Sequence, residues 1–145
     1  MIAPARSAAV LLDTCAVIWL AQGSRIAPDA EMRIREAARA GAVFVSPVSA
    51  WEIGLLSRPR PGRVLEFLPD PATWFARFMA GPGMRPAPFN AEIAIASSLL
   101  PGSLHGDPAD RLLVATARDM SVPIMTRDGP IRDYADAGHV SVVPC

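Results

Sequence analysis

Apolar runs of strand length alternate along this chain with longer stretches whose apolar positions recur at helical spacing, a pattern that predicts an α/β fold around a mostly parallel sheet. AAVLLD, residues 8–13, is apolar up to its last position and predicts a first, fully buried strand; TCAVIWLAQG then predicts a short helix closed by Gly23. PDAEMRIREAARAG puts Pro28 at a helix start, sets Ile34, Ala37 and Ala38 on one face against arginines and glutamates on the other, and stops at Gly41. AVFVS predicts a second buried strand, and SPVSAWEIGLLSRP a helix with Ser46 as N-cap and Pro47 at its first position.

The second half repeats the alternation. PRPGR is a loop by its turn residues, and DPATWFARFMAG is a helix with an acidic N-cap, a proline next, and Trp74, Phe75 and Phe78 on its apolar face. MRPAPF can be no more than a short or edge strand, because its prolines remove ladder donors. NAEIAIASSLLPG and DPADRLLVATARDM predict two more helices, PIMTRD a strand, GPIRDYADAG a helix and HVSVVP a last strand opened by His139. No repeat, low-complexity tract or linker breaks the series, and 145 residues suit a single domain spanning 1–145.

Composition adds an interface and removes several chemistries. Hydrophobic residues make up 51% of the chain and mean hydropathy is +0.27, a surplus for a small soluble protein that points to apolar surface covered by a partner. All 14 basic residues are arginine, which excludes lysine-dependent catalysis, and the formal net charge of zero provides no overall positive field for a polyanion. A nucleic-acid partner would therefore need local arginines and a metal. Cys15 and Cys145 lack CxxC spacing, which suits a reducing cytoplasm, with Cys15 read as a small core residue. Arg6 before an apolar run imitates a signal peptide, but Asp13 interrupts that run and it falls short of the roughly 20 residues needed to span a bilayer, so the expectation is a cytoplasmic protein with no membrane contact.

Asp13 is the polar exception that organises the rest, since an isolated carboxylate in such a run costs several kcal/mol unless something compensates it. Three other acids stand at comparable places: Glu52 along the helix after the second strand, Asp110 near a helix start, and Asp128 after the fourth strand. The carboxyl ends of parallel strands form one rim, where ligands settle. Converging there, the acids would repel one another unless a cation balanced them, and carboxylates without thiolate or imidazole neighbours suit Mg²⁺ or Mn²⁺. Each acid also has a plainer reading. Asp13 and Asp128 can cap the helices that follow, Asp107 is a natural N-cap before Pro108, Asp110 favours the helix dipole, and Glu52 can be solvated.

Around these acids, Thr14, Ser49 and Thr126 could hold a water or a phosphate oxygen, although hydroxyls at helix starts commonly cap. Arg58, Arg60 and Arg63 in SRPRPGR form the most basic short run, a solvated loop or a phosphate contact along an RNA strand. His105, in LPGSLHGD, reads as a surface loop residue.

Four stretches, LLDTCAVIWL, VSPVSAWEIGLL, LPGSLHGDPADRLLVATA and VPIMTRDGPIRDY, together resemble the PIN-domain ribonucleases over nearly the whole chain, and within them the VapC toxins of bacterial type II toxin-antitoxin pairs. The resemblance implies a three-layer α/β/α sandwich and Mg²⁺- or Mn²⁺-dependent endoribonuclease activity that leaves 5′-phosphate and 3′-hydroxyl ends. It also implies homodimerisation and inhibition by a cognate VapB-type antitoxin. It sets the acidic site on Asp13, Glu52, Asp110 and Asp128, with Asp13 and Asp110 as the direct metal ligands. The segment HGDPADR departs from the family's commoner form, which has phenylalanine where Ala109 stands. An antitoxin segment would lie against the helices near Trp19, Trp51 and Leu55.

Other acid-based α/β enzymes fit less well. Receiver domains and haloacid-dehalogenase-like phosphatases need a lysine that this chain lacks, DTC is not a paired-aspartate opening, and no GxxxxGK loop is present. The remaining alternative is a catalytically inactive PIN scaffold that binds RNA or a protein partner, for which retention of four mutually repelling acids has no purpose.

Overall fold

A computed structural model describes residues 8–62 and 65–145. Arg6 and Arg63 lie outside the described residues. Among them the strands are β1 (Val10–Leu12), β2 (Val43–Val45), β3 (Met84–Pro86), β4 (Ile124–Thr126) and β5 (Val142–Pro144). The helices are α1 (Thr14–Ala21), α2 (Pro28–Arg39), α3 (Pro47–Leu56), α4 (Pro71–Met79), α5 (Ala91–Ser98), α6 (Pro108–Met120) and α7 (Gly129–Asp136).

The strands form one sheet in the order β3-β2-β1-β4-β5, and every pair is parallel. Leu11 lies in register with Phe44 on one side and Ile124 on the other, so β1 is the central strand. The proline-bearing MRP segment takes an edge, as the loss of ladder donors requires. Parallel neighbours need crossovers, and helices supply them on both faces, which gives the three-layer sandwich.

Strand alternation divides the core between those layers. Leu11 and Ile124 face one side, where they pack with Leu113, Val114 and Ala117 of α6 and with Ile131 and Tyr134 of α7. Val10, Leu12 and Met125 face the other, against Val17 and Ile18 of α1, Ala30 and Ala37 of α2, and the aromatic face of α4. Each such side chain contributes about 1.5–3 kcal/mol by leaving water, which fixes strand register because a one-residue slip would expose the whole set. Ala109 is buried in the first of these cores, so the smaller residue keeps the inward position.

Two expectations are corrected. Cys15 is exposed in the first turn of α1 and takes no part in the core, because Ala16 and Val17 occupy the inward positions of that turn. His139 does not open the last strand: β5 begins at Val142, and the imidazole packs on Tyr134 with ring centroids 4.7 Å apart.

The turn into β3 is sterically constrained at Gly83. Its φ is +80°, and a Cβ there would stand 2.4 Å from Ala38 Cα and 2.5 Å from Ala38 O in the backbone of α2, which cannot swing away. The same residue's carbonyl accepts from Val43 N at 3.0 Å at the start of β2. Gly83→Ala should therefore lower stability by at least about 2 kcal/mol, read as an earlier midpoint in urea unfolding; a midpoint equal to that of the parent would refute this packing.

Candidate active site

Parallel topology sets all five strand ends on one rim, and the order 3-2-1-4-5 opens a crevice there between β1 and β4, where successive connections leave in opposite directions. Asp13 immediately follows β1 and Asp128 stands two residues beyond β4, so they flank that crevice. Helix α6 must run down to the start of β4, which sets its N-terminus, with Asp110, at the same rim.

Asp13 is only 7% exposed. It is the N-cap of α1: its Oδ1 accepts from Ala16 N at 2.7 Å, and its own N–H donates to Met125 O at 3.1 Å across the crevice. Burial pushes its carboxyl above the usual range and the nearby Asp128 adds to this, while hydrogen bonds from Thr126 and Ala16, and the Arg127 charge, pull it back. Asp128 caps α7 through Oδ2 to Ile131 N at 3.0 Å, and its N–H donates to Thr126 Oγ1 at 3.0 Å.

Glu52 reaches the group from α3. Thr14 Oγ1 bonds to Glu52 Oε1 and lies 3.0 Å from Ser49 Oγ. With a single proton to give, the threonine donates to the carboxylate and accepts from the serine. Burial raises the Glu52 carboxyl, and the charges of Asp107 and Asp13 raise it further.

Asp110 is the most perturbed member of the set. Its carboxyl is pushed up to about 7 by burial first, then by Asp107 and Asp128, with a small further rise from Glu52 and a partial offset from His105. Asp107 caps α6 by accepting from Asp110 N at 3.1 Å, so this exposed residue is both a cap and a fifth negative charge. Cys15 reports on the whole arrangement. Its thiol is driven up to about 11 by burial and then by Asp13, Glu52, Asp110 and Asp128 together. The charges of all four acids named from the sequence therefore reach the same thiol.

The geometry gives these neighbouring residues the following surroundings. Thr14, Ser49 and Thr126 are buried and bonded to acids or to one another, so they orient carboxylates. Arg58 and Arg60 are exposed and line a cleft with Leu55 and Pro59. His105 keeps its loop position but is half-buried and faces the acids: its Nε2 is 3.3 Å from Asp110 Oδ2 and 3.5 Å from Asp128 Oδ2, and one atom from each of the three lies within 4.8 Å of the others.

Two arginines escaped the sequence reading. Arg111 donates from Nε to Ser97 O at 2.9 Å and from Nη1 to Leu104 O at 3.0 Å, which ties the loop bearing His105 to α6. Arg127 lies over the Trp19 ring at 3.9 Å and donates to Cys145 O at 2.6 Å and Arg25 O at 3.0 Å. The string DPADR marks Arg111 as adjacent to the acid, but its partners are backbone carbonyls that leave no trace in sequence.

The donor set fits a hard divalent cation. Carboxylates predominate, with the His105 imidazole beside Asp110 and Asp128 as the one group among the described residues whose ligand atoms lie close enough together for an ion; the Cys15 thiol is held protonated, and three of the acids are raised by burial and mutual repulsion, which a bound cation would reverse.

The family model of the PIN domain matches residues 10–137. No curated protein matches the sequence. Among solved structures, the chain is similar to one in VapBC2 from Rickettsia felis bound to a DNA fragment from its promoter. That match has a TM-score of 0.64 at 12% identity and covers 93% of this chain and 97% of the other. DNA-bound VapBC from Salmonella typhimurium gives 0.62 at 13% identity over 94% and 97% of the two chains. FitAcB from Neisseria gonorrhoeae gives 0.52 at 19% over 92% and 95%. At these identities the likeness shows a shared fold.

The electrostatics generate a stability signature. A carboxyl whose folded value is about 7, against 3.8 when free, is neutral in the folded chain and ionised in the unfolded one between those limits. Ionised Asp110 thus weakens folding fully above about pH 7, and the penalty fades as pH falls toward 4. In a chelator, D110N should melt several degrees higher than the parent at pH 8, about 1–2 kcal/mol once solvent screening is allowed for, with the difference shrinking at pH 5. A pH-independent difference would contradict the proposed repulsion.

Proposed function

The chain belongs to the PIN-domain family, and on that premise we propose that it is a metal-dependent endoribonuclease acting as the toxin of a toxin-antitoxin pair. What supports the reading is the placement of Asp110 and Asp128 in one cluster at the strand-end rim, with Asp13 and Glu52 near enough for their charges to act on the same groups. Such a concentration of ionisable acids is costly unless it serves a cation-dependent reaction.

Asp13 and Asp110 would hold Mg²⁺ or Mn²⁺. Bound there, the cation supplies Lewis-acid activation of water and charge neutralisation at a phosphodiester. Glu52 and Asp128 orient the attacking water in line with the leaving oxygen. Thr14, bonded to Glu52, and Thr126, beside Asp13 and Asp128, hold those carboxylates at fixed angles, which is the preorganisation such a displacement needs. Hydrolysis in this sense leaves a 5′-phosphate and a 3′-hydroxyl.

The partner reading is a VapB-type antitoxin together with homodimerisation. Trp51, 54% exposed one position before Glu52, offers an apolar anchor close to the acids, while Trp19 is half-buried beneath Arg127. No helix among the described residues is long and apolar enough to cross a membrane, and the proposed location is the cytoplasm.

Asp13→Asn retains an N-cap, since asparagine caps as well as aspartate, so the variant should fold and yet lose at least ~100-fold in RNA cleavage. D110N should behave alike, and a chelator should silence the parent until Mg²⁺ or Mn²⁺ is restored. Cleavage of a labelled transcript with 5′-end sequencing measures all three; full activity of either variant would exclude this site. Induction of the chain should arrest growth, and co-expression of the small neighbouring gene should relieve it; an unaffected culture would remove the toxin reading.

A further inference from the structure

His105 faces the acids, yet no step proposed above requires it. Its Nε2 is closed off from solvent, 3.3 Å from Asp110 Oδ2 and 3.5 Å from Asp128 Oδ2, and it straddles the two without a regular hydrogen bond to either. The other ring nitrogen is committed elsewhere: Nδ1 accepts from the Asp107 backbone N–H at 3.1 Å. A nitrogen that accepts from an N–H carries no proton, so the proton of the neutral ring sits on Nε2, the atom that faces the carboxylates. A metal-ligating imidazole needs the opposite arrangement, with a bare nitrogen toward the ion and an N–H on the far side donating to a carbonyl or carboxylate.

The ring is also held from turning over. Arg111 ties the carbonyls of Ser97 and Leu104 to α6, and the Tyr134 hydroxyl donates to Pro101 O, so both ends of the segment before His105 are anchored. Presenting a bare Nε2 would require losing the Asp107 contact and reversing the tautomer.

We propose that His105 is a positioning residue and not a metal ligand: its Nε2–H faces both Asp110 and Asp128, offsets their mutual repulsion whenever no cation is bound, and yields its place when one binds. The proposal rests on the reading of the acids as a metal site. His105 and a cation then compete for the Asp110 carboxylate, with Asp128 beside it. Removing the donor leaves the carboxylates to repel one another, so a cation binds more tightly to the variant; removing a ligand has the opposite effect.

The test is titration of the full chain with Mn²⁺, followed by calorimetry and by the Mn²⁺ paramagnetic resonance signal, for the parent, H105A, H105L, H105Q and D110N, each checked for folding by circular dichroism. Glutamine carries an N–H to about the position of Nε2 and has no imidazole lone pair. H105A and H105L should bind Mn²⁺ about tenfold more tightly than the parent, H105Q should bind within about twofold of it, and D110N should bind far more weakly. H105L serves as a second donor-free variant should H105A fail to fold. Weaker binding by the donor-free variants would make His105 a ligand and overturn the proposal, and unchanged binding would overturn it by making the residue a bystander. Parent-like binding by D110N would instead sink the metal-site reading, and the proposal with it, whatever the histidine variants do.

Discussion

The structure depends on keeping like charges together. Burial and the neighbouring acids raise Asp13, Glu52 and Asp110, the last to about 7, so their convergence opposes folding at neutral pH and has to be offset by the rest of the molecule. A parallel sheet with a core on each face supplies that offset. Leu11, Leu12, Ile124 and Met125 anchor β1 and β4 from both sides, and those two strands carry Asp13 and Asp128 to the rim.

Helix caps are the device that aims the carboxylates. Asp13, Asp107 and Asp128 each accept a backbone N–H from the first turn of the helix that follows, which holds the side chain in one rotamer, at a strand-to-helix junction for Asp13 and Asp128 and at the end of a loop for Asp107. Capping and ion binding look like competing explanations in the sequence. In the fold they cooperate, because a carboxyl has two oxygens and a cap occupies one position on it. Asp110 caps nothing and sits where three other acids act on it, and it is the member driven furthest from its ordinary value.

The surroundings of the cluster follow the same logic. Thr14 and Ser49 bring α1 and α3 together through hydroxyls, and Glu52 is captured by that contact. Arg127 spends its donors on the carbonyls of Arg25 and Cys145 and its face on Trp19, and its charge offsets the raised Asp13 carboxyl only in part. The Cys15 thiol, in the solvent-accessible first turn of α1, lies in the same field.

Local chemistry made most of the fold legible. Apolar runs marked the strands, the Asp–Pro and Ser–Pro pairs marked the starts of α3, α4 and α6, and the prolines of MRPAPF put β3 at an edge, because these signals act within a few residues of chain. Asp13, Glu52, Asp110 and Asp128 were legible as candidates for the same reason, each standing at an element boundary or a turn beyond one. Only the tertiary structure decided which of their neighbours matter. It set the loop residue His105 against Asp110 and Asp128, left Arg58 and Arg60 in a cleft with Leu55 and Pro59, and left Cys15 exposed. Each of those outcomes depends on contacts between side chains and backbone atoms remote in the chain, such as Arg111 on the Leu104 carbonyl, and a sequence records the identity of a residue but not the direction in which distant packing turns it.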